Sequence, residues 1–239
     1  MAKELEIIIA VLLFIAGLFT LLFPSLNGAR LEKASTEAAE SFMDAFIVPA
    51  KTAPAETPRP YAELYDAMAK YNEEIFAQKQ SGLTEPSAYE AAGIDLAAYG
   101  FEDGVAAVLS IPAIELQMPV YLGASYDNMA AGAAVLGQTS LPIGGENTNC
   151  VIAGHRGWSG AAYFLNIDKL QVGDSVQIIN PWETLGYTVS DIRIIEPNDI
   201  DQILIQEGRE LLTLMSCHPY ASGGRYRYLV ICERSEADK

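Results

Sequence analysis

The sequence is short of histidine, cysteine and positive charge. Its 239 residues include 2 histidines and 3 cysteines, and 15 lysines and arginines stand against 31 aspartates and glutamates. The formal net charge of −16 argues against a nucleic-acid partner, because the phosphates would repel the protein. The cysteines, Cys150, Cys217 and Cys232, are odd in number and widely spaced, which excludes a framework of paired disulfides.

Long apolar runs are also absent, with one exception near the N-terminus. Residues 7–23 are apolar apart from Thr20, and Leu26 extends the run. At about 1.5 Å per residue, a helix of this length is about long enough to cross a bilayer. We therefore predict a membrane anchor over residues 1–26 and export of the domain that follows it. A cleaved signal peptide is the alternative.

The next part of the chain, residues 27–103, reads as a helical region interrupted by a linker. Apolar residues recur at helical spacing in residues 31–47 and again in residues 61–78. Four prolines between them (Pro49, Pro54, Pro58 and Pro60) exclude a helix or a central strand there. Residues 81–100 are predicted to be irregular.

From residue 104 to residue 234 the pattern is that of a mainly β domain. Short apolar runs alternate with turn signals, and these runs are spaced too closely for regular strand–helix–strand crossovers. A β-barrel or a β-sandwich is therefore expected, followed by a polar tail at 235–239. The predicted strands are 105–111, 114–121, 150–153, 175–179, 185–196, 210–217 and 225–232, with short helices at 127–131, 161–165 and 199–203.

His155 and Cys217 each come at the end of a predicted strand, where loops commonly carry catalytic groups. A thiol is mostly protonated at neutral pH, and a nearby imidazole can accept its proton and later protonate a leaving amine. His218 is adjacent to Cys217, but neighbouring residues on a strand point to opposite faces. His155 is therefore the better predicted partner of Cys217.

Two arginines open the predicted strand that follows Cys217. Arg225 or Arg227 could reach across a hairpin-like turn and stabilise negative charge on the oxygen of a reacting carbonyl. The alternative is that both are solvated surface residues. A Cys–His–Arg site is thus one interpretation of these segments.

Several segments together resemble the sortase family. Residues 213–217, TLMSC, resemble the sortase signature TLxTC with Ser216 in place of threonine, and residues 151–157, VIAGHRG, resemble the segment that carries the sortase histidine. Arg227 precedes Tyr-Leu-Val, as does the sortase arginine, which favours it over Arg225. The resemblance covers most of residues 105–234 and is strongest to class C, the pilus-assembling sortases. The segments that resemble class C in particular are residues 118–121, 137–145, 155–157 and 217–220.

This resemblance implies an eight-stranded barrel and a cysteine transpeptidase with Cys217, His155 and Arg227 as catalytic residues. It implies no cofactor and no metal. The substrate would be an LPxTG-like sorting signal of an exported protein, cleaved at the membrane surface of a Gram-positive cell. The acceptor amine would be a pilin lysine in pilus assembly, or a peptidoglycan precursor in wall anchoring. A non-catalytic, membrane-tethered β-module is the alternative from another functional class.

The region before the barrel departs from the class C pattern. Class C sortases usually carry a lid with an Asp-Pro-aromatic motif that plugs the cleft, whereas residues 84–89 read TEPSAY. Glu85 replaces the aspartate, Ser87 stands where the aromatic is usual, and Tyr89 is the nearest ring. We therefore predict a degenerate lid that is weak or open. The alternative is that the loop bends and Tyr89 takes the place of the missing aromatic ring. Cys150 and Cys232 are expected to be buried packing residues, with a disulfide between them as the alternative.

Overall fold

The computed structural model of the chain describes residues 2–47, 59–83 and 86–235. Its first element is a single long helix, α1 (Ala2–Phe42), which ends in a π-helical turn at Met43–Ile47. The apolar run and the predicted helix at 31–47 are therefore parts of one helix. Most of the predicted proline linker, including Pro49, Pro54 and Pro58, lies outside the described residues. The second predicted helix is present as α2 (Ala62–Ala77).

Helix α1 is long and apolar enough to cross a membrane. Over its most apolar 18-residue window the mean hydropathy is 2.8, and none of that window is buried against the rest of the molecule. Beyond residue 27 the helix changes character. One face becomes buried, at Gly28, Ser35, Ala39 and Phe42, because it packs along the barrel.

The body of the molecule is a closed eight-stranded barrel of mixed parallel and antiparallel pairs, which confirms the predicted mainly β fold. Around the barrel the strands follow the order β1-β2-β3-β4-β9-β10-β8-β7, and β5 and β6 form a separate hairpin. Short helical segments lie between strands, the longest being the helix α3 (Tyr126–Ala131) and a 3₁₀ segment at Phe164–Lys169. The strand bounds are β1 (Val105–Ile111), β2 (Leu116–Leu122), β3 (Ala133–Val135), β4 (Thr148–Ala153), β5 (Arg156–Trp158), β6 (Ala161–Tyr163), β7 (Ser175–Ile179), β8 (Thr184–Ile195), β9 (Glu210–His218) and β10 (Tyr226–Arg234).

The strands at the centre of the wall are buried on both faces, which is why they read as continuous apolar runs. In β4, Cys150 and Ile152 belong to the main core inside the barrel. The alternate residues Val151 and Ala153 belong to a second apolar cluster on the outer face, which also contains Met215 of β9. Partly buried apolar residues, among them Tyr89, pack against this outer cluster.

Three short strands, β3, β5 and β6, lie outside the predicted strand set. The helix predicted at 161–165 is wrong, because Ala161–Tyr163 is strand β6 and helical turns begin only at Phe164. The cause is a tight hairpin in which Trp158 pairs with Ala161. Gly160 at its turn has φ 95°, a conformation that favours glycine.

Candidate active site

Three neighbouring strands bring the predicted catalytic residues into one row. Strands β4 and β9 pair in parallel, and β4 ends at Ala153, opposite Met215. Two residues further on lie His155, in the loop after β4, and Cys217, still within β9. Strand β10 pairs with the other edge of β9 and places Arg227 directly opposite Cys217. Alternation along the strands puts Cys217 and Arg227 on the same outer face as Met215.

Two hydrogen bonds extend the pairing of β4 and β9 to the site itself. The Gly154 amide donates to the Met215 carbonyl (3.0 Å), and the Ser216 hydroxyl donates to the Gly154 carbonyl (2.8 Å). Gly154 also lies against the Phe164 ring, where a Cβ would come within 2.7 Å of a ring carbon. Ser216, the departure from TLxTC, thus holds the backbone next to His155.

The Arg227 guanidinium lies beside the thiol. Its Nη1 atom is 4.0 Å from Cys217 Sγ and also donates to the Gly224 carbonyl at 2.7 Å. A Cβ at Gly224 would come within 2.9 Å of Nη1 and 3.3 Å of Sγ, so this glycine leaves room for both groups. Arg225, by contrast, is exposed and lies over the Tyr226 ring, 5.5 Å from its centroid.

His155 is held by an aromatic ring. It stacks on Trp158 with ring centroids 4.3 Å apart and planes 10° from parallel. Burial lowers the pKa of His155 below its usual 6.5, because a partly desolvated site disfavours the imidazolium ion. At neutral pH the ring is therefore mostly unprotonated and able to accept a proton.

The side chain of His218 makes a contact on the other side of strand β9 from Cys217. Strand β9 extends through His218, so its side chain and that of Cys217 point to opposite faces. His218 Nδ1 lies 3.0 Å from Nη1 of Arg156, a buried arginine that also pairs with Asp168. Arg156 therefore links the segment after His155 to the segment after Cys217. Sequence reasoning gave Arg156 no role, because the link depends on how two distant segments meet.

The cleft over the site is covered by the segment that precedes the barrel. Tyr89 packs on the outer apolar cluster, among Met215, Leu229 and Leu83. Its carbonyl accepts hydrogen bonds from the amides of Ala124 (2.7 Å) and Gly137 (2.9 Å).

Tyr89 therefore supplies an aromatic contact over the outer apolar cluster, which is the alternative to an open lid that the sequence left open. Burial raises the pKa of Tyr89, and the nearby charge of Arg227 partly offsets this rise. Glu85, predicted to supply the lid carboxylate, lies outside the described residues.

The other two cysteines are free and buried. Burial raises the pKa of Cys232 to about 12 and raises that of Cys150 well above its usual value, because each thiolate would be desolvated. Neither is suited to act as a nucleophile. Cys217 is only partly buried and lies in the cleft.

Comparison with protein families decides the affiliation. Residues 109–235, more than half of the chain, match the model of the sortase domain. The chain belongs to the sortase family. Its structural neighbours are class C sortases, as the resemblance predicted.

The relatives of this sortase include both characterised sequences and solved structures. It is 26% identical to Sortase D of Bacillus subtilis over 129 residues, a match that spans 53% of this chain and 62% of that protein. The crystal structure of Streptococcus agalactiae sortase C1 in complex with MTSET has a TM-score of 0.65 and 28% identity, covering 78% of this chain and 96% of that one. The structure of Clostridium perfringens sortase C with the C-terminal cell wall sorting motif has a TM-score of 0.65 and 29% identity, covering 82% and 98%.

Proposed function

We propose that this sortase is a membrane-anchored cysteine transpeptidase that cleaves an LPxTG-like sorting signal and joins it to an amine. The observation that carries the proposal is the arrangement of three residues at neighbouring strand positions: Cys217 on β9, Arg227 opposite it on β10, and His155 two residues beyond the end of β4. The proposal assigns a role to each part of the chain. Residues 1–26 are the membrane anchor, residues 27–103 are a helical region with a lid, and residues 104–234 are the catalytic barrel. The barrel would lie outside the cytoplasm.

The reaction begins with proton transfer from the Cys217 thiol to neutral His155. The sulfur attacks the threonine carbonyl carbon of the signal, and the carbonyl oxygen takes up negative charge beside the Arg227 guanidinium. Collapse of this intermediate breaks the Thr–Gly bond, and the imidazolium of His155 protonates the glycine nitrogen as it leaves. A thioester between Cys217 and threonine remains.

The second half of the reaction runs through the same groups. An amine attacks the thioester carbon, His155 accepts the proton that the amine loses, and Cys217 departs as the sulfur leaving group. The lowered pKa of His155 suits both halves, because it keeps the ring unprotonated at neutral pH and makes its conjugate acid a stronger proton donor.

A pilin lysine is the acceptor that the observations favour. The structural neighbours are class C sortases, one of which was solved with a cell wall sorting motif. The packing of the lid segment on the outer apolar cluster supports the same choice, because a lid over the cleft is usual in class C sortases.

The decisive experiment uses the full-length chain in detergent with an LPxTG-bearing peptide and a lysine-bearing acceptor. The wild type should form an adduct with Cys217, visible by intact-protein mass spectrometry, and then the amide product. Cys217→Ala should form neither. Cys150→Ala and Cys232→Ala are matched controls that should retain both, and loss of the adduct in one of these with retention in Cys217→Ala would overturn the proposal.

A further inference from the structure

The change in exposure along α1 fixes how the barrel sits relative to the apolar segment. Large apolar side chains from Leu5 to Leu26 are exposed, whereas from Gly28 onward one face of the same helix is buried against the barrel. The helix runs unbroken through this change, from Ala2 to Phe42. The barrel is thus attached to a rigid rod and not to a flexible tether.

The β5–β6 hairpin contacts α1 where the apolar segment ends. The backbone of Gly160 lies against the carbonyl of Pro24 and against Gly28, so closely that neither glycine has room for a Cβ. The Asn27 side-chain amide donates to the Ser159 carbonyl at 3.0 Å. The turn of the hairpin therefore lies level with residues 24–28 of the helix.

The rise per residue of a helix gives the depth at which the turn of the hairpin lies in the membrane. Residues 24–28 lie about 1.5–7.5 Å along the axis beyond Phe23, the last residue of the continuous apolar run, at about 1.5 Å per residue. Each headgroup layer of a bilayer is about 5–7 Å thick. With residues 7–23 in the hydrocarbon, the turn of the hairpin lies in the headgroup layer.

Three aromatic rings lie around this hairpin. Trp158 is next to the turn, and Tyr126, which is 70% exposed, meets it edge-on with ring centroids 5.7 Å apart. Tyr220, which is 59% exposed, lies beside Gly157 of the same hairpin. We call these three residues the aromatic edge.

The chemistry of the aromatic edge matches a lipid interface. Tyrosine and tryptophan combine an apolar ring with a polar tip and are enriched where hydrocarbon meets headgroups. Arg30 and Lys33, just beyond the span on α1, are exposed and can reach lipid phosphates.

We propose that the aromatic edge rests in the lipid headgroup layer and holds the His155 side of the cleft against the membrane. His155 stacks directly on Trp158, so only the Trp158 ring separates the general acid and base from the lipid. A sorting signal carried by a substrate that is itself embedded in the membrane would then arrive at the level of the cleft. This inference rests on the proposed membrane anchoring and is independent of the reaction at Cys217.

The two tryptophans of the chain allow a direct test. Trp182 lies at the opposite end of the domain: it packs edge-on against Tyr65 at 5.1 Å, and its Nε1 donates to the Pro60 carbonyl. Nearby Tyr61 contacts Phe46, which is about 35 Å along α1 from Phe23. Trp182→Phe leaves Trp158 as the only tryptophan, and Trp158→Phe leaves Trp182, so the variants are a matched pair.

Each variant is reconstituted as the full chain in phosphatidylcholine vesicles with or without lipid brominated close to the headgroup. Trp158 fluorescence should be quenched at least twofold more strongly than Trp182 fluorescence. Equal quenching of the two, or none of Trp158, would overturn the inference.

Activity separates this inference from the proposed function. Tyr126→Ser and Tyr220→Ser should cleave a soluble signal peptide at the wild-type rate but lose several-fold in rate on a substrate anchored in the same vesicles. An equal loss on both substrates would count against the aromatic edge. Quenching of Trp158 in a chain that cleaves no peptide would instead refute the proposed function and leave the edge standing.

Discussion

At the scale of single residues, the choice between Arg225 and Arg227 shows what pairing register adds to a sequence motif. Both arginines point to the same face of a regular strand, so composition and spacing alone leave either one available to the thiol. The structure separates them, because Arg227 lies opposite Cys217 whereas Arg225 precedes β10. The effect of each arginine on the rate of acylation can be measured separately.

Arg227→Ala should slow acylation by roughly a hundredfold or more, since one donor to a developing oxyanion is worth on the order of 3 kcal/mol. Arg225→Ala, which removes an exposed guanidinium of the same kind, should stay within about threefold of wild type. Single-turnover formation of the Cys217 thioester is the appropriate measurement. Equal losses in the two variants would mean that both arginines hold the substrate.

Cys217 and His155 could be predicted from the sequence as a catalytic pair, because each comes at the end of a recognisable apolar run and because histidine and cysteine are scarce. Arg156 and Ser216 could not be assigned roles in the same way. Arg156 acts through His218, which is 62 residues away, and Ser216 acts through the Gly154 carbonyl. Contacts of this kind depend on which strands become neighbours, and local periodicity contains no such information.

At the scale of elements, the regular strands were easier to predict than the short ones. Strands β1 and β7 have the predicted bounds, because each is an apolar run ended by clear turn signals. Strands β3, β5 and β6 have three residues each, too few to show an alternation. The lid was harder to predict for another reason. Its aromatic ring comes three residues after Pro86, and its position depends on hydrogen bonds from the amides of Ala124 and Gly137 to the Tyr89 carbonyl.

Tyr89→Ala should open this lid. Its ring is only partly buried, so losing it removes about 1–1.5 kcal/mol of apolar contact, which corresponds to roughly a tenfold rise in access to the thiol. The rate at which a methanethiosulfonate reagent labels Cys217 reports that access. Tyr89→Phe is the matched control and should label like the wild type, because it keeps the ring and removes only the hydroxyl. Unchanged labelling of Tyr89→Ala would mean that the cleft is covered by other residues.

At the scale of the whole molecule, the barrel hides several groups that ionise only at high pH. Burial raises the pKa of Cys150, Cys232 and Tyr187. In the unfolded chain these groups lose their protons at ordinary values, near 9.0 for the thiols, whereas the folded protein retains them. The unfolded state then binds fewer protons, so the free energy of unfolding must fall as pH rises above about 9.

Between pH 8 and pH 10 the two thiols together should lower the free energy of unfolding by up to about 3 kcal/mol, at about 1.4 kcal/mol per unit for each fully titrating group. Urea denaturation of the detergent-solubilised chain with reductant present measures this change. The Cys150→Ala/Cys232→Ala double variant should show a clearly shallower decline. A decline as steep as that of the wild type would assign the effect to other groups.

The pairing of β4 with β9 also determines how late in the synthesis of the chain the site can assemble. Parallel neighbours cannot be joined by a short turn. The strand that leads to His155 can pair only after β9, which lies 62 positions later in the chain, has been made. The arginine arrives later still, on β10, after all the other barrel strands in sequence. Because the chain is synthesised from its N-terminus, the histidine segment is complete well before the thiol and the guanidinium follow. Until β10 closes the wall of the barrel, the growing chain cannot hold His155, Cys217 and Arg227 together.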